Sequence, residues 1–102
     1  MDATYEVVWP KAPLGVEPGR LADRVSDLNG HRIGFVWDYV FRGDEIFPII
    51  ERELVARIPN AEILGYETFG NSHGGDEAKW TSGFIDQLAD ERVDAVISGM
   101  GC

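Results

Sequence analysis

The chain is expected to fold as a three-layer α/β domain around a mostly parallel sheet, and three observations point there. Strand-like and helix-like patterns alternate from residue 31 onward as strand, helix, strand, helix, strand, which calls for right-handed crossovers. The first of the strand segments is a compact apolar run, as in strands buried on both faces, and not an in–out alternation. The composition of the 102 residues, 44% hydrophobic and 26% charged, is that of one small folded domain. A domain of this size buries a modest share of its surface and is often completed by a partner.

Taken in order, residues 1–30 read as a short strand followed by an arm. Tyr5 to Trp9 has strand composition and is stopped by Pro10, and from Pro10 to Gly19 come three prolines and two glycines, suited to an extended segment that wraps a surface or a neighbouring subunit. Leu21 to Leu28 has room for a helical turn, and Asn29-Gly30 is a turn signal. Residues 31–102 form the βαβαβ half-domain. Arg32 to Trp37 is its first strand. Asp44-Glu45 opens an amphipathic helix with Ile46, Ile49, Ile50, Leu54 and Ile58 at three- and four-residue spacings, Pro48 being placed near its first turn. Pro59-Asn60 ends it. Ala61 to Glu67 is the second strand, and Thr68 to Gly75 a polar, glycine-rich loop. Asp76-Glu77 begins a second helix carrying Trp80, Phe84, Ile85 and Leu88, weakened by Gly83, and Asp94 to Ser98 is the third strand. With two helices between three strands, the pattern matches half of a flavodoxin-like or doubly wound domain.

Charge narrows the function classes. Eighteen acidic against nine basic residues give a formal charge of −9, which argues against a nucleic-acid groove or an anionic membrane surface. No apolar run approaches the ~20 residues of a membrane span, and the start of the chain has neither the basic nor the apolar part of a secretory signal. The single cysteine, Cys102, excludes an internal disulfide framework and points to a cytoplasmic location.

In an open parallel sheet, ligands bind beyond the carboxyl ends of the strands. Three segments should converge there: Asp38 to Asp44, Thr68 to Gly75, and Ser98 to Cys102. The first offers the Asp38 carboxylate, the Arg42 guanidinium and a helix start, a combination suited to a small anion, although Asp44 and Glu45 repel one. Its bland alternative is an Asp38–Arg42 pair that shapes the loop while Asp44 caps the helix. Trp37, Tyr39 and Phe41 read as core and interface before they read as a stacking platform. In the second segment His73 is a candidate general acid or base, with no spacing partner for a metal; its alternative is a structural hydrogen bond. His31 belongs beside a turn at the opposite edge of the sheet. In the third, Ser98, Gly99 and Gly101 are candidate substrate-contacting positions, since glycine permits close backbone approach, and Cys102 is the candidate nucleophile.

A helix should follow the third strand to cover the sheet, and the sequence stops first. Three explanations are expected: a shortened chain, a half-site paired with another chain, or the N-terminal product of cleavage after Cys102. A partner segment that begins after Cys102 is the favoured one.

The run from Leu28 to Cys102 resembles the N-terminal half of the UGSC family, proteins named for a selenocysteine (or cysteine)-Gly-Ser-Cys motif. The resemblance is carried by Leu28-Asn29-Gly30-His31-Arg32-Ile33-Gly34, by Trp37 through Glu45, and by Val93 through Cys102. In that family the signature follows directly after a position that Cys102 matches. The commoner family pattern has an Asn-x-Lys-type loop after the first core strand; Asp38 and Val40 stand there here, so no lysine-dependent role carries over. The resemblance implies paired sulfur or selenium residues, suited to thiol–disulfide or reductive chemistry in which one attacks and the other resolves, or else a metal-binding sulfur cluster.

The function expected is therefore that of the N-terminal chain of a thiol-dependent enzyme, with redox or nucleophilic sulfur chemistry on a small molecule. Its catalytic residues are Cys102 and His73, and its substrate-binding residues are Asp38, Arg42, Ser98, Gly99 and Gly101. A second polypeptide or C-terminal segment completes the sheet, in an oligomer that engages neither nucleic acid nor membrane. A non-catalytic regulatory or structural α/β subunit is the alternative. The residues name no cofactor: metal and flavin use stay open, although no Ser/Thr-rich phosphate loop follows the first core strand, and the acidic surface disfavours a polyanionic cofactor.

Overall fold

The structure, a computed structural model, describes residues 2–13 and 15–101. Three parallel strands and two α-helices make up the α/β core. In chain order these are β1 (Arg32–Trp37), α1 (Gly43–Arg57), β2 (Glu62–Leu64), a 3₁₀ turn (Tyr66–Thr68), α2 (Glu77–Asp90) and β3 (Ala95–Gly99). The sheet order is β2-β1-β3, with Arg32 opposite Glu62 on one side of β1 and Ile33 opposite Ala95 on the other. The chain thus steps one way from β1 to β2 and then crosses back over β1 to reach β3.

Side chains alternate on β1, and both sets are buried. Ile33, Phe35 and Trp37 share one face and form the core with Phe47 of α1, whose ring stacks on Phe35 with centroids 4.8 Å apart. Ile50 and Leu54, the next positions on the apolar stripe of α1, and Ile97 of β3 pack around them. Gly34 and Val36 point to the other face. There the Phe69 ring lies so close to Gly34 that a Cβ would come within 2.9 Å of it. Phe69 meets Phe84 of α2 edge-on at 5.9 Å, and its carbonyl oxygen accepts from Trp80 Nε1–H at 2.7 Å. Gln87 Nε2–H donates to the Thr68 carbonyl oxygen at 2.6 Å, a second latch between α2 and the 3₁₀ turn.

Several sequence expectations are corrected. Tyr5 to Trp9 forms no strand: its side chains are exposed and no β-partner lies beside it among the described residues. Strand composition without a ladder to join does not make a strand. The segment 21–28 holds a bend at Ser26 and no helical turn. Asn29-Gly30 does turn, with Gly30 at φ 73° and His31 N–H donating to the Leu28 carbonyl oxygen at 3.1 Å. The second strand is three residues long, not seven, because the chain coils into the 3₁₀ turn at Tyr66 and buries Phe69 over Gly34. Pro48 is the sixth residue of α1, beyond the first turn, and removes one ladder hydrogen bond there. Ile85 is on the exposed side of α2.

Candidate functional site at the carboxyl edge of the sheet

β1 ends at Trp37, and the next five residues make a strained turn. Tyr39, Phe41 and Arg42 adopt φ of 61°, 57° and 57°, the left-handed region that costs a residue with a side chain about 1–3 kcal/mol. Packing holds the turn in place. Trp37 Nε1–H donates to the Val40 carbonyl oxygen at 2.8 Å, and the Tyr39 ring stacks on the indole with centroids 4.4 Å apart. Gly43 is required by the same indole, since a Cβ would lie 2.3 Å from it. Tyr66 meets Trp37 edge-on at 4.8 Å, completing an aromatic cluster under the turn. Its partial burial, then the nearby Glu67 and Asp44 carboxylates and Tyr39, push the Tyr66 phenol above its ordinary value of 10.0.

Asp38 joins this turn to the segment after β3. Its Oδ1 accepts from the Met100 N–H at 3.2 Å and the Val40 N–H at 3.3 Å, while its own N–H donates to the Gly99 carbonyl oxygen at 3.2 Å. The middle segment is fastened to the same strand end. Ser72 N–H donates to the Trp37 carbonyl oxygen at 3.3 Å, and Asn71 bridges to Trp37. The three segments therefore meet at one edge. Between them lies an open recess of about 360 Å³ lined by Asp38, Val40, Ser72, His73, Glu77 and Gly101.

His73 is set by two contacts. Its N–H donates to Asn71 Oδ1 at 2.8 Å, and its Nδ1 pairs with the Glu77 carboxylate one helical turn later. Glu77 is the first residue of α2, whose N-cap Asp76 accepts from the Lys79 N–H at 3.0 Å.

The structure thus gathers Asp38, His73 and Gly101 around one recess, with Gly99 bonded to Asp38. Arg42 and Ser98 stand at the same edge without lining the recess. Arg42 Nε–H donates to the Glu45 carboxylate at 2.9 Å and is mostly exposed. The expected Asp38–Arg42 pair does not form, because Asp38 is taken up by backbone N–H groups. Nor does Asp44 cap α1: Arg42 occupies the N-cap, with no side-chain cap. Cys102 lies outside the described residues; Gly101, which precedes it, lines the recess. Glu77 escaped the sequence reading as a site residue, although its four-residue spacing from His73 across a helix start was the available signal. His31, by contrast, is at the far end of β1, its Nδ1–H donating to the Asn29 carbonyl oxygen at 3.1 Å.

Among the described residues no cluster of three or more His, Cys, Asp or Glu side chains is arranged to hold a metal ion, and no helix is long and apolar enough to cross a membrane.

Comparison with known proteins gives one positive result. No curated protein and no solved structure matches the chain. The model of the UGSC family matches residues 6–102, nearly the whole sequence. With its parallel α/β sheet and the site-forming edge described above, the chain belongs to the UGSC family.

Proposed function

We propose that this chain supplies the strand-edge half of a thiol-dependent enzyme site, acting by redox or nucleophilic sulfur chemistry on a small molecule. The observation that carries the reading is the Asp38 bridge between the loops after β1 and β3, where the strand order reverses, with His73 and Glu77 lining the same recess. Crevices at such reversals are where open α/β sheets take their ligands. The order β2-β1-β3 is also the beginning of a flavodoxin-like sheet, whose next strand would pair with the outer edge of β3. Among the described residues that edge has no partner, and Val96 on β3 is partly exposed. A partner chain or further segment completing a three-layer domain would cover it.

In this reading His73 takes the proton from the Cys102 thiol, and the thiolate attacks an electrophilic atom of the substrate, whose leaving group departs with the proton held by His73. In the redox case a thiol or selenol of the family's pair, following the position of Cys102, then attacks the Cys102 sulfur and releases the bound group with its own proton, so that the two protein residues are oxidised by two electrons as the substrate is reduced. Asp38 keeps the two loops in register during this, and Gly99 and Gly101 let the substrate approach the backbone. Arg42 and Ser98 stand at the same edge to meet an anionic group. A single cysteine among 102 residues accords with a reducing compartment such as the cytoplasm.

The test is the alkylation rate of Cys102 with iodoacetamide at neutral pH, read by intact mass. The native protein is expected to react faster than the same protein unfolded in guanidinium, and His73→Asn to remove most of the difference. Equal rates in native and unfolded protein would overturn the reading and favour a non-catalytic α/β subunit.

A further inference from the structure

Resting on the reading above, we infer that Glu77 is a positioning residue for His73: its carboxylate accepts a hydrogen bond from Nδ1–H and leaves the ring's lone pair on Nε2. Ionised carboxylate oxygens only accept, so a neutral imidazole paired through Nδ1 must carry its proton there. Nε2 is then the basic nitrogen.

Pairs of this kind on a surface are usually loose, and both partners here are substantially exposed. What sets this one apart is that each partner is anchored separately. The backbone of His73 is fixed by the Asn71 side chain, and Asn71 is bridged to the end of β1 at Trp37. Glu77 is fixed by the start of α2, where Asp76 caps the helix through Lys79 N–H. The helix itself is latched to the 3₁₀ turn through Trp80 and Gln87. The carboxylate and the imidazole are thus brought together by the fold on both sides, and both line the same recess as Asp38 and Gly101.

The experiment reads the ring directly. Nitrogen-15 NMR of the full chain, at a pH where His73 is neutral, reports which ring nitrogen carries the proton. The Nδ1–H form is expected to dominate in the native protein. Glu77→Ala should shift the tautomer ratio toward Nε2–H by about two- to fivefold, the range of an exposed pair. Glu77→Gln, whose amide oxygen still accepts, should keep the Nδ1–H form. A contribution to helix stability alone would lower Tm in both variants without moving the ratio. A native ring protonated on Nε2, or a ratio unmoved by Glu77→Ala, would overturn the inference. The thiol reading fails separately: an Nδ1–H ring as expected, with Cys102 alkylation indifferent to His73→Asn, leaves Glu77 orienting the ring and removes the sulfur chemistry.

Discussion

At its amino end β1 is held by charge. The Arg32 guanidinium pairs with Glu62 at 2.7 Å and Glu91 at 3.6 Å, while the Arg32 N–H donates to the Asp94 carboxylate and its carbonyl oxygen accepts from Asp94 N–H, both at 2.9 Å. The left-handed residues at this end are Gly30 in the preceding turn and Arg92, at φ 54°, in the turn before β3. At its carboxyl end the same strand runs into three left-handed residues with side chains, held by an indole, a tyrosine stack and a single carboxylate spanning two loops. The two histidines follow the same division: His31 bonds a carbonyl oxygen in a turn, His73 a carboxylate at a recess. Exposed ion pairs of the first kind fasten a strand at small energetic gain. Backbone strain of the second kind clusters at functional sites, and here it lies beside the open recess.

The comparison is broken most severely through the core that both ends share. Phe47→Ala empties the space against Phe35 and should cost about 3–5 kcal/mol in denaturant unfolding, loosening both ends together. Gly43→Ala acts on the carboxyl end alone, because its methyl group would overlap the Trp37 indole; a loss of about 1–3 kcal/mol is expected, with quenching or shift of Trp37 fluorescence. Asp38→Ala should cost about 1–2 kcal/mol and speed amide exchange at Val40 and Met100, with the Arg32 end unchanged. Arg32→Ala, at the other end, should cost about 1 kcal/mol or less and leave Cys102 alkylation unaltered.

A finer difference concerns pH. The Tyr66 phenol, raised in the folded protein by partial burial and then by Glu67 and Asp44, keeps its proton when the unfolded chain has released it. Its contribution to stability is complete below the ordinary value of 10.0 and is lost as pH rises through the folded value. Tyr66→Phe should therefore flatten the alkaline decline in stability, measured by urea unfolding on either side of that pH.

Much of this was legible in the residues. Arg32 to Trp37 announces a buried strand by its composition, α2 announces its start by Asp76, and strand–helix alternation alone implies that the loops after β1 and β3 share an edge. Other features had no signature. Tyr39, Phe41 and Arg42 are not residues that mark a left-handed backbone, and the turn they form leads into Gly43 packed against the Trp37 indole. The second strand reads as seven residues because Gly65-Tyr66 can extend as well as coil; burial of Phe69 over Gly34 decides it. Arg42 suggests a pair with Asp38, whereas its partner in the structure is Glu45, three residues on. The arm shows the limit of composition, since Tyr5 to Trp9 has the residues of a strand and no neighbour to pair with among the described residues.

The central claim is that the recess between Asp38, His73 and Gly101 is the place where Cys102 acts. A spin label on Cys102, the one cysteine of the sequence, tests it in a single NMR spectrum. The account predicts strong paramagnetic broadening of the His73 ring and the Ser72 and Val40 amides, with His31 at the far end of β1 much less affected. Equal broadening of the two histidines, or a stronger effect at His31, would contradict it.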